Sequence, residues 1–339
     1  MHFSNHTAVS IPVGLAGFRI DQILIRCFPS LQHSLICRWV KNGQIRVDGR
    51  QIKSIRSRIT EENSKVVIPF TEAVAVYSRN PLPKTTRSNA INISEIVIYR
   101  DPHIIAVNKP PGLSVHGGSG AANVFNVDAF LWQLHAVNEP RPKLVHRLDQ
   151  ECSGVLLLAR SPSIASQLSA MFFQAKIAKH YLAIVGGPLT PSVSWHSLRT
   201  EMVKARSLRD GFERRVPIRF TNGIESQPSY KQVQGSAPSI CESKWRCLAS
   251  ENNASLLELT PITGRKHQLR AHCAFDLKYP ILGDKKFNGK KSSRLMLHSC
   301  FLKFTHPVLK EQVTICAPVP KEFHAAVKGS ESIINNYFN

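Results

Sequence analysis

Apolar positions near the start of the chain recur at helical spacing. Ile20, Ile23, Leu24, Cys27 and Phe28 share one face over residues 18–28. A second short helix follows, with Ser34 as its cap and Leu35, Ile36, Trp39 and Val40 as its apolar stripe. Gly43 ends it by accepting positive φ. Gln44–Ile52 reads as a hairpin, because Asp48-Gly49 is a favoured two-residue turn, and a strand over Lys65–Pro69 closes the unit. Residues 76–94 carry Pro81, Pro83 and a polar cluster without periodicity, the signature of a linker. Beyond it, strand-like runs stand at Ile96–Tyr99, Ile104–Val107, Gly154–Ala159, Tyr181–Val185, Trp245–Leu248, Leu256–Leu259 and Arg294–Phe304. One helix is predicted at about 164–175, with Ile164, Leu168, Met171 and Phe172 inward. Strands outnumber helices. The fold class is therefore α+β: a mixed, mainly antiparallel sheet in the larger domain, preceded by a small α+β domain. Residues 191–243 are polar, Arg-rich between Arg206 and Arg219, and read as an insertion that is partly ordered at best.

Composition sharpens this picture at one point, the charge. Lys and Arg number 44 against 23 Asp and Glu, giving +21 over 339 residues. So large an excess is self-repulsive unless a polyanion neutralises it. In the first unit the basic residues Arg38, Lys41, Arg46, Arg50, Lys53, Arg56 and Arg58 gather on the polar face, which favours nucleic acid over a merely solvated surface. The eight cysteines are scattered and form no C-x-x-C pair, the usage of reduced thiols rather than a disulfide framework. No apolar run approaches a membrane span, and no Lys or Arg precedes Arg19 as a secretory signal would require. The expected location is cytoplasm or nucleus, with an organelle left open.

Three segments concentrate reactive groups. His146-Arg147-Leu148-Asp149-Gln150-Glu151-Cys152-Ser153-Gly154 runs into a buried strand, so Asp149 is partly desolvated. From spacing alone, an Asp that ties down a loop by accepting backbone N–H bonds explains it equally well. Thr263-Gly264-Arg265-Lys266-His267-Gln268-Leu269-Arg270-Ala271-His272 reads as a helix capped by Thr263, whose N-terminus would suit an anion. Asn108–Gly118 is a loop stiffened by Pro110 and Pro111, with glycines that admit close approach of a ligand. Metal and nucleotide sites fail on spacing: Cys241 and Cys247 are six apart, His267, His272 and Cys273 have no matching second pair, and Gly283 to Gly289-Lys290 is too long for a phosphate loop. No cofactor and no metal is assigned.

Two resemblances give these segments meaning. Residues 17–75 resemble the S-four-like RNA-binding domain, opening at Arg19-Ile20-Asp21 with Gly43–Gly49 as its core. That family's Ser-Arg at the second helix is Ser34-Leu35 here, and its closing Gly-Asp is Glu62-Asn63. About residues 95–320, with 191–243 set aside, resemble the pseudouridine synthases of the RluA type, through Lys109–His116, His146–Gly154, Lys179–Tyr181, Thr263–His272 and Gly283-Asp284 in that order, and the catalytic domain is expected over 95–325. Cys152 stands where the family usually has Thr. The resemblance implies isomerisation of uridine to pseudouridine in rRNA or tRNA, with Asp149 as the catalytic carboxylate, Tyr181 stacking on the uracil and Arg270 paired with Asp149. It further implies that Arg147 fills the gap left by a flipped nucleotide and that Arg265 contacts phosphate. His146, Lys109 and, in the first unit, Arg38, Lys41 and Arg46 complete the expected RNA-binding set. The protein would act as a monomer on RNA. The rival readings are a ribosome-assembly factor that binds RNA without chemistry, and an RNA-cleaving or glycosidic hydrolase, which would want a second carboxylate or a His pair.

Overall fold

The computed structural model describes residues 6–10, 15–28, 31, 33–61, 64–69, 93–116, 126–134, 141–221, 230–327 and 334. Two compact units divide the chain: residues 1–93 with 116–135, and residues 94–115 with 136–339. Most of the expected linker at 76–94 lies outside the described residues. The larger unit also departs from the continuous 95–325 expectation, because 116–135 clusters with the first unit.

In the first unit β1 (His6–Ser10), α1 (Ile20–Cys27), α2 (His33–Lys41), β2 (Arg46–Val47), β3 (Arg50–Gln51) and β4 (Lys65–Pro69) follow in order. The strands form a four-stranded sheet, β1-β4-β2-β3. Phe18, Ile20, Ile23, Leu24, Phe28, Ile36, Trp39, Ile45, Val66 and Ile68 make one core. The turn between β2 and β3 has Asp48 at φ 48° and Gly49 at φ 81°, the positive pair that suits a tight hairpin. Gly43 ends α2 at φ 66°. Ser34 lies within the first turn of α2 rather than capping it, since the helix already begins at His33.

The larger unit contains β5 (Val97–Arg100), β6 (Ile104–Lys109), β7 (Lys143–Leu144), β8 (Ser153–Ala159), β9 (Ala178–Val185), β10 (His196–Ser207), β11 (Glu213–Pro217), β12 (Tyr230–Gln232), β13 (Ser239–Glu251), β14 (Ala254–Pro261), β15 (Leu297–Thr305) and β16 (Gln312–Cys316). A four-residue helix, α3 (Val127–Phe130), belongs to the first unit; α4 (Pro162–Phe173), α5 (Gln268–Ala271) and α6 (Lys321–Ala326) belong to the larger. The sheet runs β11-β10-β13-β14-β9-β15-β8-β6-β5, with β12 on β10, β16 on β15 and β7 on β8. All its described pairings are antiparallel except β8 with β15. β8 is buried along its whole length, the pattern of a central strand covered on both faces. Gly154 has φ 110°, and a Cβ there would collide with the backbone carbonyl of Ser299 on β15. Only glycine allows the parallel pair to close at this point. Ser161 caps α4 by accepting the Ile164 N–H, with Pro162 at the first helical position.

The segment 191–243 corrects the expectation of partial order. Outside 222–229, which are not described, it builds β10, β11, β12 and the start of β13, which extend the same sheet. Met202, Val203, Ala205, Val216 and Cys241 are fully buried there. From Val203 onward along β10, buried Val203, Ala205 and Ser207 alternate with exposed Lys204 and Arg206, a half-buried strand pattern behind a polar composition.

Candidate active site

The order of strands places the expected residues at one end of the sheet. Asp149 lies in the loop that enters β8, Tyr181 sits on β9, and Arg270 lies in α5 just after β14. Because β14, β9, β15 and β8 are consecutive neighbours, three segments remote in sequence converge. They line a cavity of about 360 Å³ together with His146, Arg147, Arg265, Lys179, His267 and Phe173.

The Arg270 guanidinium is buried and forked between two carboxylates. Its Nε and Nη2 donate to the two oxygens of Asp284 at 2.7 and 2.6 Å, while Nη1 donates to Asp149 Oδ2 at 3.4 Å. Asp284 also accepts the backbone N–H groups of Lys286 and Phe287. Burial works against the charge on Arg270, but Asp284 and then Asp149 outweigh it and hold its pKa above the ordinary value. Asp284 therefore anchors the arginine by two short bonds and leaves one edge for the cavity carboxylate. The Gly283-Asp284 pair was visible in the sequence, but nothing in its spacing revealed this partner.

His267 is the second group beside Asp149, with Nε2 3.9 Å from Oδ1. It occupies the left-handed region at φ 58°, an uncommon conformation for a side-chain-bearing residue. Burial lowers its pKa to about 4, so the ring is neutral at physiological pH. Tyr181 is half-buried, and burial pushes its hydroxyl up.

Several expected roles change. Thr263 is not a helix cap: α5 starts only at Gln268, and the Thr263 hydroxyl bonds Gln268 Oε1 at 2.7 Å. Arg265 thus lies in a turn, and no helix N-terminus there offers an anion site. Lys109 is fully buried and its Nζ donates to the carbonyls of Pro110, Leu113 and Gln150 at 2.9, 2.9 and 3.0 Å. All three of its protons are used, so it staples two loops and does not face the cavity. Burial lowers its pKa to about 8. His146 lines the cavity, but its Nε2 accepts the Leu157 N–H and its ring stacks on Phe172 at 4.3 Å. Desolvation lowers its pKa to about 3. Arg147 is exposed. Arg38, Lys41 and Arg46 are exposed on the first unit and are not among the cavity residues. Cys152 is buried, its thiol pushed up to about 12 by desolvation, which makes it an inert packing residue. Among the described residues no group of three His, Cys, Asp or Glu is placed to hold a metal ion. No described helix is long and apolar enough to cross a membrane.

Comparison with known proteins gives this arrangement its class. Residues 103–275, about half of the chain, match the RNA pseudouridylate synthase family. The chain belongs to that family, isomerases that convert uridine in RNA to pseudouridine. Among individual relatives, it is 31% identical to the ribosomal large subunit pseudouridine synthase C of Escherichia coli strain K12 over 341 residues, 92% of each chain. It is 30% identical to the protein of that name from Vibrio parahaemolyticus, over 95% of each. Among solved structures it is similar to human RNA pseudouridylate synthase domain containing 4, with a TM-score of 0.50 and 26% identity, covering 68% of this chain and 91% of that one.

Proposed function

We propose that Asp149 is the catalytic carboxylate and that the RNA is ribosomal, of the large subunit. The observation that carries the first part is the carboxylate held by Arg270 at the wall of a cavity large enough for one nucleotide. A carboxylate that reacts as the anion needs a fixed positive partner, and Arg270 supplies it. Chemistry on a base in folded RNA requires the nucleotide to leave the stack. With the nucleotide in the cavity, Asp149 acts at its sugar and the N1–C1′ bond breaks. The freed uracil turns and C5 bonds to C1′; C5 then gives up its proton while N1, which kept the electron pair of the broken bond, takes one up. Reactant and product are isomers, so no oxidant or phosphate donor enters. Tyr181 stacks on the uracil, Arg147 takes the vacated place in the RNA, and Arg265 holds a phosphate. The ribosomal substrate follows that of the relatives at 30–31% identity, which are named as synthases of the large ribosomal subunit.

The first unit fits an S-four-like RNA-binding domain, its helices and hairpin presenting Arg38, Lys41 and Arg46 to solvent. It supplies affinity, and the protein works as a monomer. The test of the chemistry is Asp149→Asn, which keeps the shape and removes the charge. Binding of large-subunit rRNA should persist while pseudouridine formation, mapped in the same RNA, drops below detection. Turnover near that of the unaltered protein would remove Asp149 from the mechanism.

A further inference from the structure

Phe173 ends α4 and is 93% exposed, although the same helix turns Ile164 and Leu168 into the core. Folding gives no reason for a phenylalanine in water at this position. Its neighbour Phe172 is packed on His146, which anchors the end of the helix and fixes the place from which Phe173 projects. That place is the wall of the cavity that also contains Asp149, and Arg147, Lys179 and Lys266 share it. An open aromatic face among cations is the surface that single-stranded nucleic acid uses, bases stacking on the ring while the cations follow the phosphates.

We propose that Phe173 is a stacking platform for a nucleobase flanking the modified uridine. The inference rests on the RNA-modifying reading of the cavity and deepens it. Extruding a uridine strips its neighbours of a stacking partner, and an exposed ring beside the cavity replaces it. The enzyme then binds a short unstacked stretch rather than one nucleotide. Stacking tolerates every base, so the platform contributes affinity and positioning more than base identity.

Full-length protein with Phe173, Phe173→Ala, Phe173→Leu and Phe173→Trp is titrated with short single-stranded RNAs carrying 2-aminopurine on the 5′ or the 3′ side of a central uridine. The same RNAs made abasic at that neighbour serve as the comparison. For one of the two sides, Phe173→Ala should weaken binding on the order of tenfold and diminish the quenching of 2-aminopurine. Phe173→Trp should retain both, and Phe173→Leu, apolar but without a π face, should behave like the alanine variant. The four proteins should bind the corresponding abasic RNA alike. Equal binding by the alanine variant, rescue by leucine, or an undiminished alanine effect on the abasic RNAs would each overturn the proposal. Binding needs no turnover, so a failure of the unaltered protein to form pseudouridine in large-subunit rRNA would count against the assigned substrate and leave the stacking result readable.

Discussion

Two carboxylates compete for one guanidinium at the centre of this site, and the geometry decides between them. Asp284 takes two short bonds and Asp149 one long one, so the first is an anchor and the second keeps reach toward the cavity. Asp284 has no exposure to solvent, and Arg270 is nearly as buried. Removing one member of such a buried pair leaves an uncompensated charge, which costs about 3–5 kcal/mol. Asp284→Asn should lose stability of that order in chemical denaturation, and turnover should fall because Arg270 is then drawn wholly to Asp149. A loss below about 1 kcal/mol would show that Asp149 alone suffices to neutralise the arginine. The sequence made Asp149, Tyr181 and Arg270 legible through their motifs. It did not reveal Asp284 as the anchor or His267 as a neighbour, because both relations depend on side-chain direction after the chain has folded.

At the scale of elements, the loop that carries Asp149 is held from below. Lys109, at the end of β6, reaches the Gln150 carbonyl, the Gln150 side chain reaches back to the Gly112 carbonyl, and the Gly112 N–H donates to the Gln150 carbonyl. Lys109→Met keeps most of the stem and removes the ammonium. Three carbonyls then lose a charged donor, while the burden of a buried charge is relieved; the net loss of stability should be about 2–4 kcal/mol. Amide exchange should quicken at Cys152, whose N–H closes the turn on the Asp149 carbonyl, more than in the middle of β8. Equal quickening throughout would mean that the staple stabilises the domain as a whole and not this loop. The motif Lys-Pro-x-Gly reads as ligand-binding in the sequence because a lysine in a glycine loop usually faces solvent. Here the strand β6 is flanked by β5 and β8 and buried along almost its whole length, and its last residue is carried into the interior.

For the whole molecule, charge and protonation set the working conditions. His298 is fully buried and His267 nearly so, and burial lowers both to about 4. In the unfolded chain each titrates near 6.5. Between pH 6.5 and 4 the unfolded state therefore binds more protons, and stability falls as pH is lowered through that window. It is at its full value above pH 6.5. Each histidine contributes about 1.4 kcal/mol per pH unit within the window, and His298→Asn should flatten the curve measured by denaturation. An unchanged slope would place the His298 proton elsewhere. On the RNA side, Arg38, Lys41 and Arg46 should each contribute about 0.7 to the slope of log K against log salt on single-stranded RNA. Changing all three to Gln should flatten that slope by about 2. If it stays as steep, the first unit does not carry the phosphate contacts.

The sequence by itself determined the local elements. Periodicity placed α1, α4 and the buried strand β8; Asp48-Gly49 placed a hairpin; ordered motifs placed the carboxylate, the tyrosine and the arginine. The elements are short-range properties, dictated by side-chain spacing and backbone preference within a few residues, whereas Asp149, Tyr181 and Arg270 were singled out by the resemblance to the synthases and not by spacing. Only the tertiary structure decided which segments meet. Setting β8, β15, β9 and β14 side by side brings positions 149, 181 and 270 to one cavity, sends the Lys109 ammonium inward and leaves the Phe173 ring in water. It also drew 191–243 into the sheet, because an arginine-rich strand buries its alternate apolar positions as soon as a neighbouring strand offers them a face. Such pairings are fixed by contacts between residues tens to more than a hundred positions apart, and no local pattern encodes them.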